Sequence, residues 1–195
     1  MNEEDLLGSK WNYIYSQTKT EPAQAADVLI ENAHLLPETG TALDLACGLG
    51  GNAIFLAQQG LAVTAWDISS IAIEWVLAYA KREGLNINAC QHNITRLSLP
   101  KCSYNIIAVS RFLDRTLSDA IIDALKPGGL LFYQTFTVEK IGRVGPTNPA
   151  FLLERNEILR LFSPLAVIFY RENSLCGNLQ KGIRNEMQFI GQNID

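Results

Sequence analysis

Apolar runs of strand length alternate along the chain with segments of helical period, and neither an internal repeat nor a low-complexity tract interrupts them. This rhythm predicts an α/β protein whose strands are joined by parallel crossovers. Strands are expected at residues 42–47, 62–66, 86–91, 104–110, 130–137, 165–171 and 185–191. The first helix is expected over residues 22–35, where Pro22 suits a first-turn position and Ala26, Leu29, Ile30 and Ala33 share one face. A second covers residues 52–59 and stops at Gly60. The next opens on a Ser69 or Ser70 cap, places Ile71, Ala72, Trp75, Val76 and Tyr79 on one stripe, and ends with Lys81 and Arg82 before Gly84. Further helices are expected near residues 117–125 and 155–162. Lys126-Pro127-Gly128-Gly129 reads as a turn into the fifth strand, and residues 140–149, with two glycines and two prolines, read as a long loop.

The chemistry concentrates between Ala42 and Asp67. The first strand carries one acid, Asp44, just before Ala46-Cys47-Gly48-Leu49-Gly50, where small residues let bare backbone approach a ligand at a helix N-terminus. Asp67 closes the second strand, the position from which an acidic side chain accepts hydrogen bonds from ribose hydroxyls in nucleotide-binding sheets. Two acids and a glycine turn thus frame a nucleoside pocket. Gly48-Leu49-Gly50-Gly51-Asn52-Ala53 also fits the dinucleotide pattern G-x-G-x-x-[GA]. Asp44 argues against a pyrophosphate there, because a carboxylate repels phosphate.

Composition narrows the partners. The 195 residues carry a net charge of −4 with scattered basic residues, so no cationic stripe is offered to a nucleic-acid backbone. The acidic, polar start and the lack of a long apolar run predict a cytoplasmic protein with no membrane segment. Cys47, Cys90, Cys102 and Cys176 form no CxxC pair, so reduced thiols are expected, with no metal site and no disulfide framework. His34 and His92 are read as structural or as lying at a pocket edge.

DLACGLGGNA, the WDIS after the second strand and the LKPGG before the fifth resemble the Rossmann-like, class I S-adenosylmethionine-dependent methyltransferases. Within them, WNYIYSQ, FLDR and GGLLFYQTFT…GPTNPAFLLERNEILRLF resemble the small bacterial tellurite-resistance-type enzymes. The resemblance implies a seven-stranded, mostly parallel sheet with helices on both faces and an antiparallel last strand. It also implies one methyltransferase domain over residues 1–195: a cap segment and first helix in 1–40, a cofactor-binding core in 41–137, and a substrate-side loop with C-terminal strands in 138–195. S-adenosylmethionine is the implied cofactor and S-adenosylhomocysteine its product.

Carried over by position, Asp44, Ala46, Cys47, Gly48 and Gly50 surround the methionine part and Asp67 takes the ribose hydroxyls. Ile68 packs on the adenine, Asn93 and Ile94 bind its edge and face, and Ser110 lies beneath the sulfonium region. Trp11 and Tyr15 belong to a segment that folds over the cofactor in related enzymes; their alternative is packing on the first helix. Two departures from the pattern stand out. Ala46 replaces a frequent first glycine, a change the later glycines are expected to tolerate, and Asn93 replaces an aspartate while keeping an acceptor oxygen.

For the acceptor, Arg111, Arg115, Lys140 and Arg143 are candidate anion ligands, with pairing of Arg115 and Lys140 to Asp114 and Glu139 as the alternative. Asn148-Pro149-Ala150-Phe151 resembles an amide-methylating motif, yet the place for that motif, directly after the fourth strand, holds Ser110-Arg111-Phe112-Leu113. A small-molecule acceptor is expected, a thiol, a metalloid or chalcogen oxyanion or another small anion. No catalytic base is assigned, since positioning supplies most of the rate. The competing readings are a nicotinamide-dependent oxidoreductase and a non-catalytic module that binds S-adenosylmethionine.

Overall fold

A computed structural model describes residues 3–18 and 23–194. Seven strands form one sheet: β1 (Thr41–Leu45), β2 (Ala62–Asp67), β3 (Ile87–Gln91), β4 (Tyr104–Ser110), β5 (Leu125–Phe136), β6 (Ala166–Arg171) and β7 (Glu186–Gln192), in the order β3-β2-β1-β4-β5-β7-β6. The first five run parallel, and β7 lies antiparallel between β5 and β6. Six helices accompany them: α1 (Glu3–Ser16), α2 (Asp27–Glu31), α3 (Gly51–Gln58), α4 (Ser70–Glu83), α5 (Ser118–Ala124) and α6 (Glu157–Leu161).

Period-two alternation sorts each central strand onto two apolar layers. Leu43 and Leu45 of β1, Ile107 and Val109 of β4, and Leu131 and Tyr133 of β5 join one core with Leu117, Ile121 and Ile158. Ala42, Ile106, Ala108, Leu130 and Phe132 join the opposite core with Val28, Ala53, Leu56 and Val76. Asp44, Asp67, Ser110 and Gln134 continue this second alternation at the carboxyl ends of their strands. A polar row therefore extends the apolar face that carries α2, α3 and α4. Strand order reverses between β1 and β4, which opens a crevice at those carboxyl ends.

Several elements depart from the sequence expectation. The N-terminal cap is a helix, α1, packed on α4. The helix expected over residues 22–35 is only α2 followed by a 3-10 turn at Ala33–Leu35, and Pro22 lies outside the described residues. Its start is delayed because side chains take the backbone donors: Ala26 N–H donates to Asn52 Oδ1 at 2.9 Å and Val28 N–H to Gln134 Oε1 at 2.9 Å. Residues 126–129 form a bulge inside β5 between the pairs Tyr104–Leu125 and Ile106–Leu130, rather than a turn before it. Ala46 sits at φ 56°, so left-handed backbone is required there and an L side chain is strained. The later glycines do not remove that demand.

Candidate functional site

The glycine turn is built around two carboxylates. Asp44 points from β1 at the start of α3, whose N-cap is Gly50 and offers no side-chain acceptor. Its Oδ2 accepts the Ala53 N–H at 2.9 Å, one of the donors a helix start leaves unpaired, and its Oδ1 accepts Asn52 Nδ2 at 3.2 Å. Asp67 accepts the Gly48 N–H at 2.8 Å on Oδ2 and the Ser69 N–H at 2.8 Å on Oδ1. Both acids are buried, and among the described residues neither is ion-paired with a cationic side chain. Burial pushes the Asp44 carboxyl up to about 7, against the hydrogen bonds from Asn52 and Ala53, which pull it down. Asp67 is raised by burial as well. Cys47, buried in the same turn, has its thiol pushed well up by burial and by both acids.

Glycine is required at two points here. Gly50 has φ 74°, and a Cβ on it would lie 2.7 Å from Val76 Cγ2. Gly48 has φ 51°, and a Cβ on it would lie 2.7 Å from the Tyr15 hydroxyl. Tyr15 of α1 thus stands directly over the turn, stacked on Trp11 at 5.6 Å, and its own ionisation is raised by burial and then by Asp67, Cys47 and Asp44.

Two chambers lie at the carboxyl ends of the strands, one beside β2 and β3 and one beside β4 and β5. The larger, about 430 Å³, has Ile68, Gln91 and Asn93 on one side and Asp5, Gly8, Ser9 and Asn12 of α1 on the other. The smaller, about 230 Å³, is lined by residues 23–27 together with Ser110, Arg111 and Gln134. Ile94 lies beside the larger chamber's Asn93 but packs against the apolar core. Asn52, which the sequence reading passed over, joins the parts: it donates to Asp44 and to Ser110 Oγ at 3.0 Å while accepting from Ala26. Gln134 was also passed over; its amide bridges Val28 N–H and Glu186. Their signal was a polar side chain in an otherwise apolar run, which Gln134 shows within Leu130–Phe136.

The candidate cations separate. Arg111, at φ 52° beyond β4, donates from Nε to Glu186 at 2.9 Å and stands two-thirds exposed at the small chamber. Arg115 is committed to Glu157 at 2.6 and 3.0 Å and to the carbonyls of Ala150 and Leu152, so its partner is Glu157 and not Asp114. Lys140 donates to the carbonyls of Val144 and Pro146, while Glu139 pairs with Arg155. Arg143 is exposed on the same loop.

Comparison with known proteins follows this geometry. The methyltransferase-domain family matches residues 42–129, which hold both acids, the glycine turn and Ser110. The matched core is similar to that of the class I S-adenosylmethionine-dependent methyltransferases. The chain is 28% identical over 159 residues to the probable S-adenosyl-L-methionine-dependent methyltransferase TehB of Haemophilus influenzae, covering 75% of this chain and 54% of that protein. It is 32% identical over 103 residues to the ubiquinone biosynthesis O-methyltransferase of Rickettsia conorii, covering 50% and 35%. The chain thus spans about half the length, or less, of these relatives. The crystal structure of Haemophilus influenzae TehB shares the fold, with a TM-score of 0.67 at 22% identity over 93% of this chain and 65% of that one.

The residues of the turn fit S-adenosylmethionine, the cofactor named for the similar proteins. Two buried acids with no cationic side-chain partner among the described residues suit a ligand that carries a sulfonium and an ammonium. A turn with no Cβ at Gly48 and Gly50 suits close backbone approach. Among the described residues, no helix is long and apolar enough to cross a membrane, and no His, Cys, Asp or Glu cluster is arranged to hold a metal.

Proposed function

We propose that this chain, acting as one domain, transfers the methyl group of S-adenosylmethionine to a small-molecule acceptor in the cytoplasm. The observation that carries the reading is the pair Asp44 and Asp67: both buried, neither ion-paired among the described residues, and set on either side of a glycine turn at the switch point of the sheet. When bound, the cofactor supplies an electrophilic methyl on a positively charged sulfur. The chain supplies placement. Asp67 accepts from the ribose hydroxyls with the lone pairs its two N–H bonds leave open. Asp44 places negative charge beside the cationic end, held by Asn52 and Ala53. Ile68 and Asn93 of the large chamber hold the adenine, Ile94 supports them, and Ala46 and Cys47 of the glycine turn take the methionine part. Trp11 and Tyr15 close the site from α1 and exclude water.

The acceptor enters from the small chamber, which Ser110 and Arg111 line. Arg143 is a further acceptor-side cation on the neighbouring loop, and Arg115 is a brace between that loop and α6. A thiol or a metalloid or chalcogen oxyanion suits such a site, because neither needs a strong base. Holding the nucleophile in line with the carbon–sulfur bond contributes about 7–11 kcal/mol, so no side-chain nucleophile is invoked.

Equilibrium dialysis against S-adenosylhomocysteine and NAD tests the reading. Micromolar retention of the first and none of the second is expected, and the reverse result establishes a nicotinamide enzyme instead. Turnover of methyl-labelled S-adenosylmethionine with thiols, tellurite and hydroxylated aromatics then separates an enzyme from a binding module, which retains the cofactor and forms no product.

A further inference from the structure

The large chamber is half made of one helix. Asp5, Gly8, Ser9 and Asn12 fall at i, i+3, i+4 and i+7 of α1, a single helical face, and they lie across from Ile68, Gln91 and Asn93. Tyr15 continues the same face one turn on and reaches Gly48. Remove α1 and the chamber becomes an open groove along the ends of β2 and β3. What seats α1 therefore decides whether a nucleoside there is enclosed.

One polar side chain makes the connection. Asn12 Oδ1 accepts the Ser69 hydroxyl at 2.6 Å and lies 3.4 Å from the Ile71 N–H at the start of α4. Ser69 is fully buried and does three things at once: its hydroxyl oxygen caps α4 by accepting the Ala72 N–H at 3.2 Å, its hydroxyl proton goes to Asn12, and its N–H goes to Asp67 at 2.8 Å. A hydrogen-bonded chain thus runs from α1 through Asn12 and Ser69 to the carboxylate at the end of β2. The remainder of the α1 contact is weak in apolar terms, because Leu6, Leu7, Tyr13 and Ile14 are all exposed.

We propose that Asn12 is a positioning residue that latches α1 as the roof of the nucleoside chamber and thereby sets how long the bound nucleoside stays. The inference rests on the methyltransferase reading above, but it adds a residue that touches neither the reacting atoms nor the glycine turn. A ligand hydroxyl bound to Asp67 draws on the same carboxylate that orients Ser69, so occupancy and roof closure are coupled through two hydrogen bonds. Opening the latch is then part of product release, a step that limits turnover in many enzymes with closing elements.

The test uses the full chain as wild type, Asn12→Ala and Asn12→Asp, with S-adenosylhomocysteine as the ligand and stopped-flow displacement as the readout. Loss of one buried hydrogen bond predicts dissociation about five- to tenfold faster in Asn12→Ala. Asn12→Asp keeps an acceptor oxygen at the favourable start of α4, so a rate within about twofold of wild type is expected. Acrylamide quenching should show Trp11 more accessible in Asn12→Ala alone, with the circular-dichroism spectrum of the sheet unchanged. Dissociation from Asn12→Ala within twofold of wild type overturns the latch, as does an Asn12→Asp rate equal to that of Asn12→Ala. Wild type that binds no S-adenosylhomocysteine at all overturns the cofactor reading and the roof with it, whereas binding by all three proteins with equal dissociation rates overturns the roof alone.

Discussion

Asp67 accepts the Gly48 N–H at 2.8 Å, so the carboxylate that closes β2 also fixes the tightest point of the turn between β1 and α3. Its other oxygen holds Ser69, and both bonds lie in buried surroundings. In the proposed reading, one side chain therefore serves the fold and the ligand together. Asp67→Ala should weaken S-adenosylhomocysteine binding at least tenfold and also cost about 1–3 kcal/mol of stability, because two buried N–H groups lose their acceptor. Asp67→Asn keeps one acceptor oxygen and separates the two effects: its urea midpoint should recover part of the loss while affinity stays low. Titration calorimetry showing wild-type affinity in Asp67→Ala would remove the ribose role.

A proton should leave when the cofactor binds. Burial holds the folded Asp44 carboxyl at about 7, above its ordinary value, so between roughly pH 4 and 7 the folded chain carries a proton that the unfolded chain has released. Ligand-free stability from this group is therefore greatest below that window and falls as pH rises through it. Asp67 is shifted in the same direction. A cationic ligand favours the ionised form, so S-adenosylmethionine affinity should rise up to about tenfold from pH 6 to pH 8. Calorimetry at pH 6 in buffers of different ionisation enthalpy should detect the released proton. Asp44→Asn should flatten the dependence, and a flat wild-type profile with no proton release contradicts the assignment.

Much of the candidate site's local geometry was legible because its signals are local. Asp44, Gly48, Gly50 and Asp67 lie within one β-turn-α-β unit, and small residues between two strand ends admit few structures. A cap at Ser69 or Ser70 and a stop at Gly84 were equally local, and the structure has Ser69 as the cap and Gly84 as the stop. The illegible part depends on pairs distant in sequence. Nothing near Asn52 says that its amide reaches β1, β4 and residue 26 together, and nothing near Gln134 says that it replaces a helical acceptor for Val28. Those tertiary bonds also shortened the helix expected from residue 22, since local periodicity cannot register a donor taken by a remote side chain. Arg115 shows the same limit: its neighbour Asp114 is the nearest acid in sequence, but Glu157 meets it in space.

Arg115 should prove structural. Its guanidinium makes a bidentate pair with Glu157 and holds two carbonyls of the segment between Ala150 and Leu152. The pairing lowers the Glu157 carboxyl, so the stability it contributes is present above the ordinary carboxylate range and is lost as pH falls through the depressed value. Arg115→Ala should lower stability by about 2 kcal/mol through lost charge-assisted hydrogen bonds, with S-adenosylhomocysteine affinity within twofold of wild type. Arg111→Ala should do the opposite, sparing stability and raising the acceptor KM. Chemical denaturation together with steady-state kinetics distinguishes the two arginines, and a shared acceptor defect would return Arg115 to the binding site.

Gly51 gives opposite expectations from propensity and from structure. As the first residue of α3, with ordinary helical backbone, it should gain stability on replacement by alanine, by about 1 kcal/mol on propensity alone. A Cβ there, however, would lie 2.5 Å from the Ala23 carbonyl oxygen and 2.7 Å from that of Gln24, and backbone atoms cannot rotate away as a flexible side chain does. Gly51→Ala must push residues 23–26 off α3, which breaks the Ala26 to Asn52 bond and opens the small chamber at its 23–27 wall. Overpacking of this kind costs about 1–3 kcal/mol, more than propensity returns. The melting temperature of Gly51→Ala should therefore fall and S-adenosylmethionine binding should weaken with it. A rise in melting temperature with unchanged binding would mean that residues 23–26 do not rest on the start of α3, and the small chamber would lose one of its walls.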